Sequence, residues 1–417
     1  MIIKTEEIPE EIEYNTVFEI TSNNISSFTH GFFKYPCKFI PQIPRWAIRK
    51  YTNKGDIVLD PFAGSGTTLV EAILIERNGL AGDFDKLSQL LCRAKTTTLS
   101  KKQIIELKDY KKHLFKKTNN LTNFLPDIHN LNHWFSKNNI DELLTLKQNI
   151  EEFYRNTGDE KLYNFLLICF VSIIRKGSYA DDTSPKPYVS KRIKKTPQNV
   201  KYAFYKAFDS YLKKMNEYTN RDIGTCGILS DDARNIHAPK YDGKITLAVT
   251  SPPYINAFDY VRILRLENAW LGYYGDANIV EIKKKQVGTE TISSKIYNPP
   301  IDKTGIEKLD RVILDVSKTD KKRAFVIWKF FEDMSKNFNE IHRLLKRNGH
   351  YVIAIGNSKI RGIDVRTHEL LIELAQKNGY RLHNLFSYII KNKYLRIPRS
   401  GRGGHIDNDW IIDLIKV

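Results

Sequence analysis

The stretch IVLDPFAGSGTTLVEAILIERNGLAGD, residues 57–83, gives the clearest indication of the fold. It starts with a short apolar strand, passes through a loop with two glycines, and then shows the apolar spacing of a helix over 69–77. Asn78 and Gly79 are residue types that end helices, and a second apolar strand follows them and ends at Asp83. The stretch therefore predicts one βαβ unit with two parallel strands.

The same alternation of strand and helix returns in the C-terminal part of the chain. Strands are predicted at 245–250, 351–357, 386–390 and 409–417. Helices are predicted at 256–273 and 367–379, and a long amphipathic helix over 324–349 that ends at Asn348–Gly349. This alternation predicts an α/β fold, with a doubly wound, mainly parallel sheet covered by helices on both faces.

The middle of the chain has a different character. Residues 101–224 are rich in lysine and helical in pattern, without alternating strands. We therefore predict a catalytic domain in two halves, 1–100 and 225–417, separated by a mostly helical insertion at 101–224. The second half carries a further basic insertion around 276–323.

Composition and charge narrow the class of protein. The 417 residues carry a formal net charge of +18, which suggests a polyanionic partner, although a soluble protein with a basic surface explains the charge equally well. The four cysteines form no CxxC pair, so neither a metal site nor a disulfide framework is expected. The polar, acidic N-terminus is unlike a signal peptide, and the apolar run 163–174 is too short to span a bilayer and predicts a buried helix. These features indicate a cytoplasmic protein without a membrane partner.

The glycine loop and the acids near it indicate the cofactor. The loop DPFAGSGTT lacks the lysine of a P-loop and does not match GxGxxG, so we expect a ligand without a triphosphate. Asp83 ends the second strand, where an acid accepts hydrogen bonds from a ribose, and Phe84 is suited to lie on an adenine. Asp232 is a candidate acceptor for the adenine amino group, although each acid alone is equally well explained as a cap or a solvated charge. Together they predict an adenosine pocket for S-adenosylmethionine.

The motifs resemble those of the methyltransferases that modify exocyclic amino groups of DNA bases. The resemblance rests on DPFAGSGTT at 60–68, on SPPY at 251–254, and on the segments 34–46 and 82–96. It implies the methyltransferase type of seven-stranded sheet and S-adenosylmethionine as cofactor. The residues expected to bind the cofactor are Lys38, Phe39, Asp60, Pro61, Phe62, Gly64, Ser65, Gly66, Thr67, Thr68, Asp83, Phe84, Asp232 and Ala233. The catalytic residues that it implies are Ser251, Pro252, Pro253 and Tyr254.

The SPPY loop suits methylation of an exocyclic amine. The nitrogen is a poor nucleophile because its lone pair is delocalised into the ring. The Ser251 hydroxyl and the Pro252 carbonyl are expected to accept its two hydrogens, while Tyr254 stacks on a base that has left the duplex. In the family that the chain resembles, a serine at the first position favours N4 of cytosine, and an Asp or Asn favours N6 of adenine. The pair Pro36–Cys37 would suit C5 methylation of cytosine, but it precedes the cofactor loop, so Cys37 is interpreted as a packing residue.

Double-stranded DNA is the expected substrate, and a cognate restriction endonuclease is a possible partner. Basic residues expected to bind DNA are Lys191, Arg192, Lys194, Lys195, Arg399 and Arg402. The insertion at 101–224 is the main candidate for target recognition, and the basic segment 282–323 is a second one. Methylation of RNA or of a protein amide, and a non-catalytic nucleic-acid-binding subunit, remain alternatives at this point.

Overall fold

The computed structural model describes residues 2–21, 27–117, 125–192, 194–218, 221–255, 258–298, 300–390 and 407–417. Within these ranges the strands are β1 (Ile2–Thr5), β2 (Val17–Ile20), β3 (Ile57–Asp60), β4 (Asn78–Gly82), β5 (Cys226–Ser230), β6 (Ile245–Thr250), β7 (Leu345–Gly356), β8 (Ser358–Ile360), β9 (Ile363–Val365), β10 (Tyr380–Ile389) and β11 (Asn408–Lys416).

The α-helices of the same ranges alternate with these strands except in the middle of the chain. They are α1 (Gln42–Tyr51), α2 (Thr67–Leu74), α3 (Lys86–Thr96), α4 (Lys101–Tyr110), α5 (Leu131–Trp134), α6 (Lys137–Thr157), α7 (Glu160–Ile174), α8 (Val200–Met215), α9 (Tyr260–Ile263), α10 (Arg265–Leu271), α11 (Ile279–Lys285), α12 (Ser294–Tyr297), α13 (Glu307–Ser317), α14 (Lys321–Leu344) and α15 (Thr367–Lys377). No helix of the described residues is long and apolar enough to cross a membrane.

Nine described strands form one sheet, in the order β1-β2-β10-β11-β7-β6-β3-β4-β5. The neighbours β3, β4, β5, β6 and β7 are parallel, and β11 lies antiparallel between β7 and β10. This confirms the predicted mainly parallel α/β sheet. Its seven strands from β5 to β10 are extended beside β10 by β2 and β1, which the sequence did not predict.

The strand order reverses between β3 and β6, and this reversal creates the crevice that holds the site. From β3 the chain moves outward to β4 and then β5, whereas β6 lies on the other side of β3 and leads to β7. The loops that follow β3 and β6 therefore diverge at the carboxyl edge of the sheet. Open α/β sheets bind ligands at this kind of switch point.

Helices cover both faces of the sheet, as a doubly wound fold requires. On one face, Val58 of β3 packs in an apolar cluster with Trp46 of α1 and Ala72 of α2. On the other, Leu59 of β3 packs in a cluster with residues of α13, α14 and α15, among them Phe330. The alternation of adjacent residues between the two clusters follows from the period of two of a strand.

The segment 101–224 contains the helices α4 to α8, and its described residues 175–192 and 194–199 form a long loop between α7 and α8. The apolar run at 163–174 lies in α7, whose Leu166 and Phe170 are fully buried, so the prediction of a buried helix is confirmed. The apolar residues of α6, α7 and α8 share one cluster with those of α3 and α10. These helices therefore pack directly on the methyltransferase-like part of the chain and do not enclose a separate core.

Three predicted helices have different bounds in the structure. The helix predicted over 69–77 is α2, which ends at Leu74, and the predicted stop residues Asn78 and Gly79 begin β4. The long helix α14 ends at Leu344 rather than at Asn348–Gly349, because the chain already pairs with β6 from Leu345 onward. Asn348 instead adopts a left-handed conformation, with φ of 58°, within a register shift of β7. The helix predicted over 256–273 is two short helices, and the first is capped by the Asp259 side chain, which accepts from the Arg262 N–H.

Candidate active site

A cleft of about 850 Å³ lies at the carboxyl ends of β3, β4, β5 and β6. Twelve of the fourteen predicted cofactor residues line it, namely Lys38, Phe39, Asp60, Pro61, Phe62, Gly64, Ser65, Thr67, Asp83, Phe84, Asp232 and Ala233. The lining also includes Ser251 and Pro253 of the SPPY loop. Gly66 and Thr68 are not part of the lining. The fold thus brings the glycine loop, the two acidic strand ends and the SPPY loop into one cleft.

The glycine loop turns tightly from β3 into α2. Gly66 has a φ of 74° and precedes α2, and a Cβ atom there would lie 3.3 Å from the Cα of Cys92. A side chain at this position would therefore be both strained and crowded. The Gly64 N–H donates to the Asp83 carboxylate at 2.8 Å, which ties the loop to the end of β4.

A buried lysine supports the loop from behind. Lys95 of α3 is completely buried, and its Nζ donates to the carbonyl of Ser65 at 2.6 Å. Burial holds the pKa of its amine well below the usual value. Sequence reasoning missed this residue, because a lysine near the end of a helix is usually solvated.

Two acids of the cleft have raised pKa values. Asp60 accepts from the Thr250 hydroxyl at 2.6 Å and from the Phe62 N–H at 3.1 Å, and burial raises its pKa to about 6. Burial and the neighbouring Asp85 raise the pKa of Asp83 to about 7. Perturbed carboxyl groups of this kind are typical of ligand sites.

The acidic pair after β5 has a different environment. Both oxygens of Asp232 accept from the Arg234 guanidinium, at 2.9 and 3.0 Å, and this ion pair holds the pKa of Asp232 below its usual value despite partial burial. The adjacent Asp231 is exposed and also lines the cleft. The sequence prediction named only Asp232. The pattern Asp-Asp cannot show which of two neighbouring carboxylates faces a ligand, so Asp231 was missed.

The segment before α1 closes another side of the cleft. Lys38 donates to the carbonyl of His30 at 2.7 Å, and burial lowers its pKa to about 8. Two tyrosines that the sequence did not single out also line the cleft: Tyr35 and Tyr260, whose rings stack at 6.1 Å. Little in the sequence indicated that these tyrosines belong to one site, since they lie more than 200 residues apart and aromatic residues are common in this chain.

The SPPY loop leaves the fully buried strand β6 at Ser251. Ser251 is half-buried in the cleft, while Pro252 is buried and is not part of the lining. Tyr254 is also outside the lining, and its hydroxyl donates to Asp409 Oδ1 at 2.6 Å. The Tyr254 hydroxyl is therefore bound to β11, and any stacking of its ring on a base has to occur with the hydroxyl held there.

The N-terminal part of the chain matches a known family. A sequence model of a family described as DNA methylase, of the N6/N4 type, matches residues 3–94, which contain the glycine loop and Asp83. This match and the relatives described below support an S-adenosylmethionine-dependent DNA amino-methyltransferase of the N4/N6 family. The resemblance drawn from the motifs is thereby confirmed, and S-adenosylmethionine is the cofactor.

Relatives of this methylase align over most of its length. The Type II methyltransferase M.MvaI of Kocuria varians is 26% identical over 412 residues, which cover 92% of this chain and 88% of the relative. The Type II methyltransferase M.BsoBI of Geobacillus stearothermophilus is 24% identical over 327 residues, covering 69% and 61%. Among solved structures, an S-adenosylmethionine-dependent methyltransferase of Methanosarcina mazei aligns with a TM-score of 0.32 and 9% identity, over 89% of this chain and 96% of that one.

The cleft of the methylase fits this cofactor. The loop between β3 and α2 has the glycines that permit a close backbone approach, and Asp83 presents a carboxylate at the end of β4. The described residues contain no cluster of His, Cys, Asp and Glu that would hold a metal ion.

Cys37 lies at the edge of the same cleft but is poorly suited to be a nucleophile. Although Cys37 is exposed, the protein around its sulfur and the Asp409 carboxylate raise the pKa of its thiol to about 12. The reactive form of cysteine is the thiolate, which is scarce at neutral pH for such a group. This argues against a nucleophilic role, but the exposure of Cys37 does not fit its interpretation as a packing residue.

The residues predicted to bind DNA differ in their surroundings. Lys191, Arg192 and Lys194 are exposed in the loop between α7 and α8. Lys195 instead donates to the carbonyls of Arg175 and Ala180 and to Asp182, at 2.7, 3.0 and 2.8 Å. The ammonium group of Lys195 therefore holds the loop together, and its role in binding DNA stays a prediction. Arg399 and Arg402 lie outside the described residues.

Proposed function

We propose that this DNA methyltransferase transfers a methyl group to N4 of cytosine, as the modification enzyme of a restriction–modification system. The observation that carries the proposal is the position of Ser251, which lines the same cleft as Asp83 and the glycine loop. A serine at the first position of this loop favours cytosine in the family that the motifs resemble. The names of the relatives as Type II methyltransferases support the restriction–modification assignment.

The residues of the cleft would divide the work as follows. Asp83 accepts hydrogen bonds from the ribose hydroxyls of S-adenosylmethionine, and Phe84 lies on the adenine. The exposed Asp231 has the freer carboxylate of the acidic pair, whereas Asp232 shares its charge with Arg234. We therefore propose that the pair as a whole binds the adenine amino group, with Asp231 closest to it.

The SPPY loop would activate the target amine. The Ser251 hydroxyl and the Pro252 carbonyl accept its two hydrogens, which frees the nitrogen lone pair for attack on the methyl group. Pro253 restricts the backbone of Pro252 and so fixes the direction of that carbonyl. Catalysis then comes from position and electrostatics, without a covalent intermediate.

A product assay tests the function. The purified protein is incubated with S-adenosylmethionine and unmethylated genomic DNA, and the nucleosides are identified by mass spectrometry. We expect N4-methylcytosine. N6-methyladenine would retain the family and the mechanism but overturn the choice of base, and a lack of methylated nucleosides would contradict the DNA substrate and move the search to RNA or protein amides.

Ser251→Ala tests the role of the loop in the same assay. The variant should lose about 100-fold or more in kcat and keep its affinity for S-adenosylmethionine, because the hydroxyl contacts only the target amine. Ser293→Ala is a matched control, since Ser293 is exposed and its side chain makes no cap hydrogen bond to α12. Wild-type turnover of Ser251→Ala would mean that the serine is only structural.

A further inference from the structure

A buried carboxylate lies behind the SPPY loop and has no role in the function proposed so far. Asp409 of β11 accepts from the Tyr254 hydroxyl at 2.6 Å through Oδ1 and from the Tyr388 hydroxyl at 2.7 Å through Oδ2. Asp409 is only 6% exposed and Tyr388 7%. The loop that carries Ser251 is thus connected by one hydrogen bond to a residue 155 positions further along the chain.

The sheet explains how these residues meet. Asp409 is directly opposite Tyr388 of β10 on one side and Gly356 of β7 on the other. In the sheet, β7 lies between β11 and β6. Tyr254, leaving β6, therefore reaches across the end of β7 to the carboxylate.

Burying the Asp409 carboxyl group costs free energy of folding, which a purely structural contact would not require. Burial raises the pKa of Asp409, and the two tyrosine hydroxyls only partly offset the loss of water around the carboxylate. The hydroxyls of the half-buried Tyr254 and the buried Tyr388 both need acceptors. The two oxygens of the Asp409 carboxyl group accept from both at once, and such a two-point contact suits the fixing of a loop.

We propose that Asp409 is a positioning residue of the reaction: through the Tyr254 hydroxyl it anchors the SPPY loop, so that Ser251 and the Pro252 carbonyl keep the geometry that the target amine requires. The inference rests on the proposed role of this loop. It also changes the role of Tyr254, whose hydroxyl matters in addition to its ring. The Tyr388 hydroxyl donates to the other oxygen of Asp409 and, among the described residues, forms no hydrogen bond of its own to the SPPY loop.

Three single substitutions separate the anchor from its alternatives. Tyr254→Phe keeps the aromatic ring for stacking and removes only the hydroxyl. Asp409→Ala removes the acceptor, and Tyr388→Phe removes the other hydrogen bond of the same carboxylate. We expect Tyr254→Phe and Asp409→Ala to lower kcat by about 10- to 100-fold, with less than about a threefold change in the dissociation constant for S-adenosylmethionine. Tyr388→Phe should stay within about threefold of wild type.

The double variant Tyr254→Phe/Asp409→Ala gives the decisive comparison. If Asp409 acts through the hydroxyl, the double variant loses no more in kcat than either single variant does. Asp409→Asn, which keeps one acceptor oxygen but not the second, should recover part of the loss of Asp409→Ala. Melting temperatures of all the variants show whether any loss of kcat follows stability alone.

Several results would overturn the proposal. Wild-type kcat in Tyr254→Phe would mean that only the ring matters, and multiplied losses in the double variant would mean that Asp409 acts by another route. If Tyr388→Phe lost as much kcat as Tyr254→Phe, the hydrogen bonds of Asp409 would matter only for the stability of the fold. Methyl transfer by the wild-type protein is measured first: its absence would reject the proposed function, whereas its presence with an unaffected Asp409→Ala would reject this inference alone.

Discussion

At the scale of single residues, three carboxyl groups of one cleft differ because of what surrounds them. Asp83 and Asp60 are surrounded by protein without a cation in hydrogen-bond contact, so their pKa values rise to about 7 and about 6. Asp232 has Arg234 at 2.9 Å, and its pKa falls below the usual value. The local partner therefore decides which acid is charged at neutral pH.

The raised pKa of Asp83 makes a prediction for cofactor affinity. The ionised carboxylate is the better acceptor for ribose hydroxyls, and its fraction increases as the pH rises through about 7. We expect the affinity for S-adenosylmethionine to increase about tenfold between about pH 6 and pH 8. Isothermal titration calorimetry across this range measures it.

Asp83→Asn is the control for this pH dependence. The variant should bind S-adenosylmethionine weakly. Its affinity should also lack the increase near pH 7 that the ionisation of Asp83 gives the wild type. Any titration of the cofactor's own amine is common to both proteins and cancels in the comparison. Identical pH profiles of the two proteins would remove Asp83 from the pocket.

At the scale of elements, the glycine loop depends on the helix behind it as well as on its own glycines. The Ser65 carbonyl of the loop accepts from Lys95 of α3, and the Asp83 carboxylate accepts from the Gly64 N–H. Glu71 of α2 is buried and paired with His30 and with Arg45 of α1, at 2.7 and 2.8 Å. Polar contacts thus hold the loop and α2 to the elements around them.

Lys95→Met tests the support of the loop. Methionine keeps much of the volume and the apolar stem, but the Ser65 carbonyl loses its donor, which costs about 1–3 kcal/mol for a buried acceptor. We expect the dissociation constant for S-adenosylmethionine to rise about tenfold, as measured by calorimetry. Lys86→Met, at the exposed first turn of the same helix, is the matched control and should bind as the wild type does. Unchanged affinity in Lys95→Met would make the lysine a packing residue.

At the scale of the whole molecule, part of the net charge of +18 lies on an exposed loop between α7 and α8. The exposed basic residues of the loop between α7 and α8 are joined to the cleft, because Lys34 donates to the Asp182 carbonyl of this loop at 3.3 Å and directly precedes Tyr35. The loop is also held internally by Lys195 and by Arg175, which donates to the carbonyls of Ser184 and Pro185. We therefore predict that the exposed basic residues of this loop bind the DNA backbone.

Neutralising Lys191, Arg192 and Lys194 together should weaken DNA binding and reduce its salt dependence. Each phosphate contact contributes about 0.9 to the slope of log K against log salt, so we expect the slope to fall by up to about 3. Fluorescence anisotropy with labelled duplex at several salt concentrations measures it. The matched control neutralises Lys4, Lys54 and Lys336, whose side chains are also exposed. Equal slopes in the two triple variants would reject the loop as a DNA contact.

Local patterns were sufficient for the regular elements and for the motifs of the cleft. The period of two in β3 and the helical spacing after Gly66 depend on neighbours in sequence, so the βαβ unit could be predicted. The predicted helix stop at Asn78–Gly79 is wrong, since α2 ends at Leu74 and these two residues begin β4. The end of α14 could not be predicted either, because pairing of Leu345 with Ile245, a contact across 100 positions, competes with the local helix stop. Likewise, the pattern of 191–195 does not distinguish Lys195, whose partners are set by the folding of its loop.

The sequence by itself therefore determined the class of fold, the family and the cofactor, since these follow from the order of short motifs and from local periodicity. The tertiary structure alone decided which side chains are charged, anchored or free. Only the folded chain sets Arg234 against Asp232, Lys95 under Ser65 and Asp409 behind Tyr254. The physical reason is that burial and hydrogen bonding between distant segments depend on the packing of the whole sheet, and no local pattern contains that information.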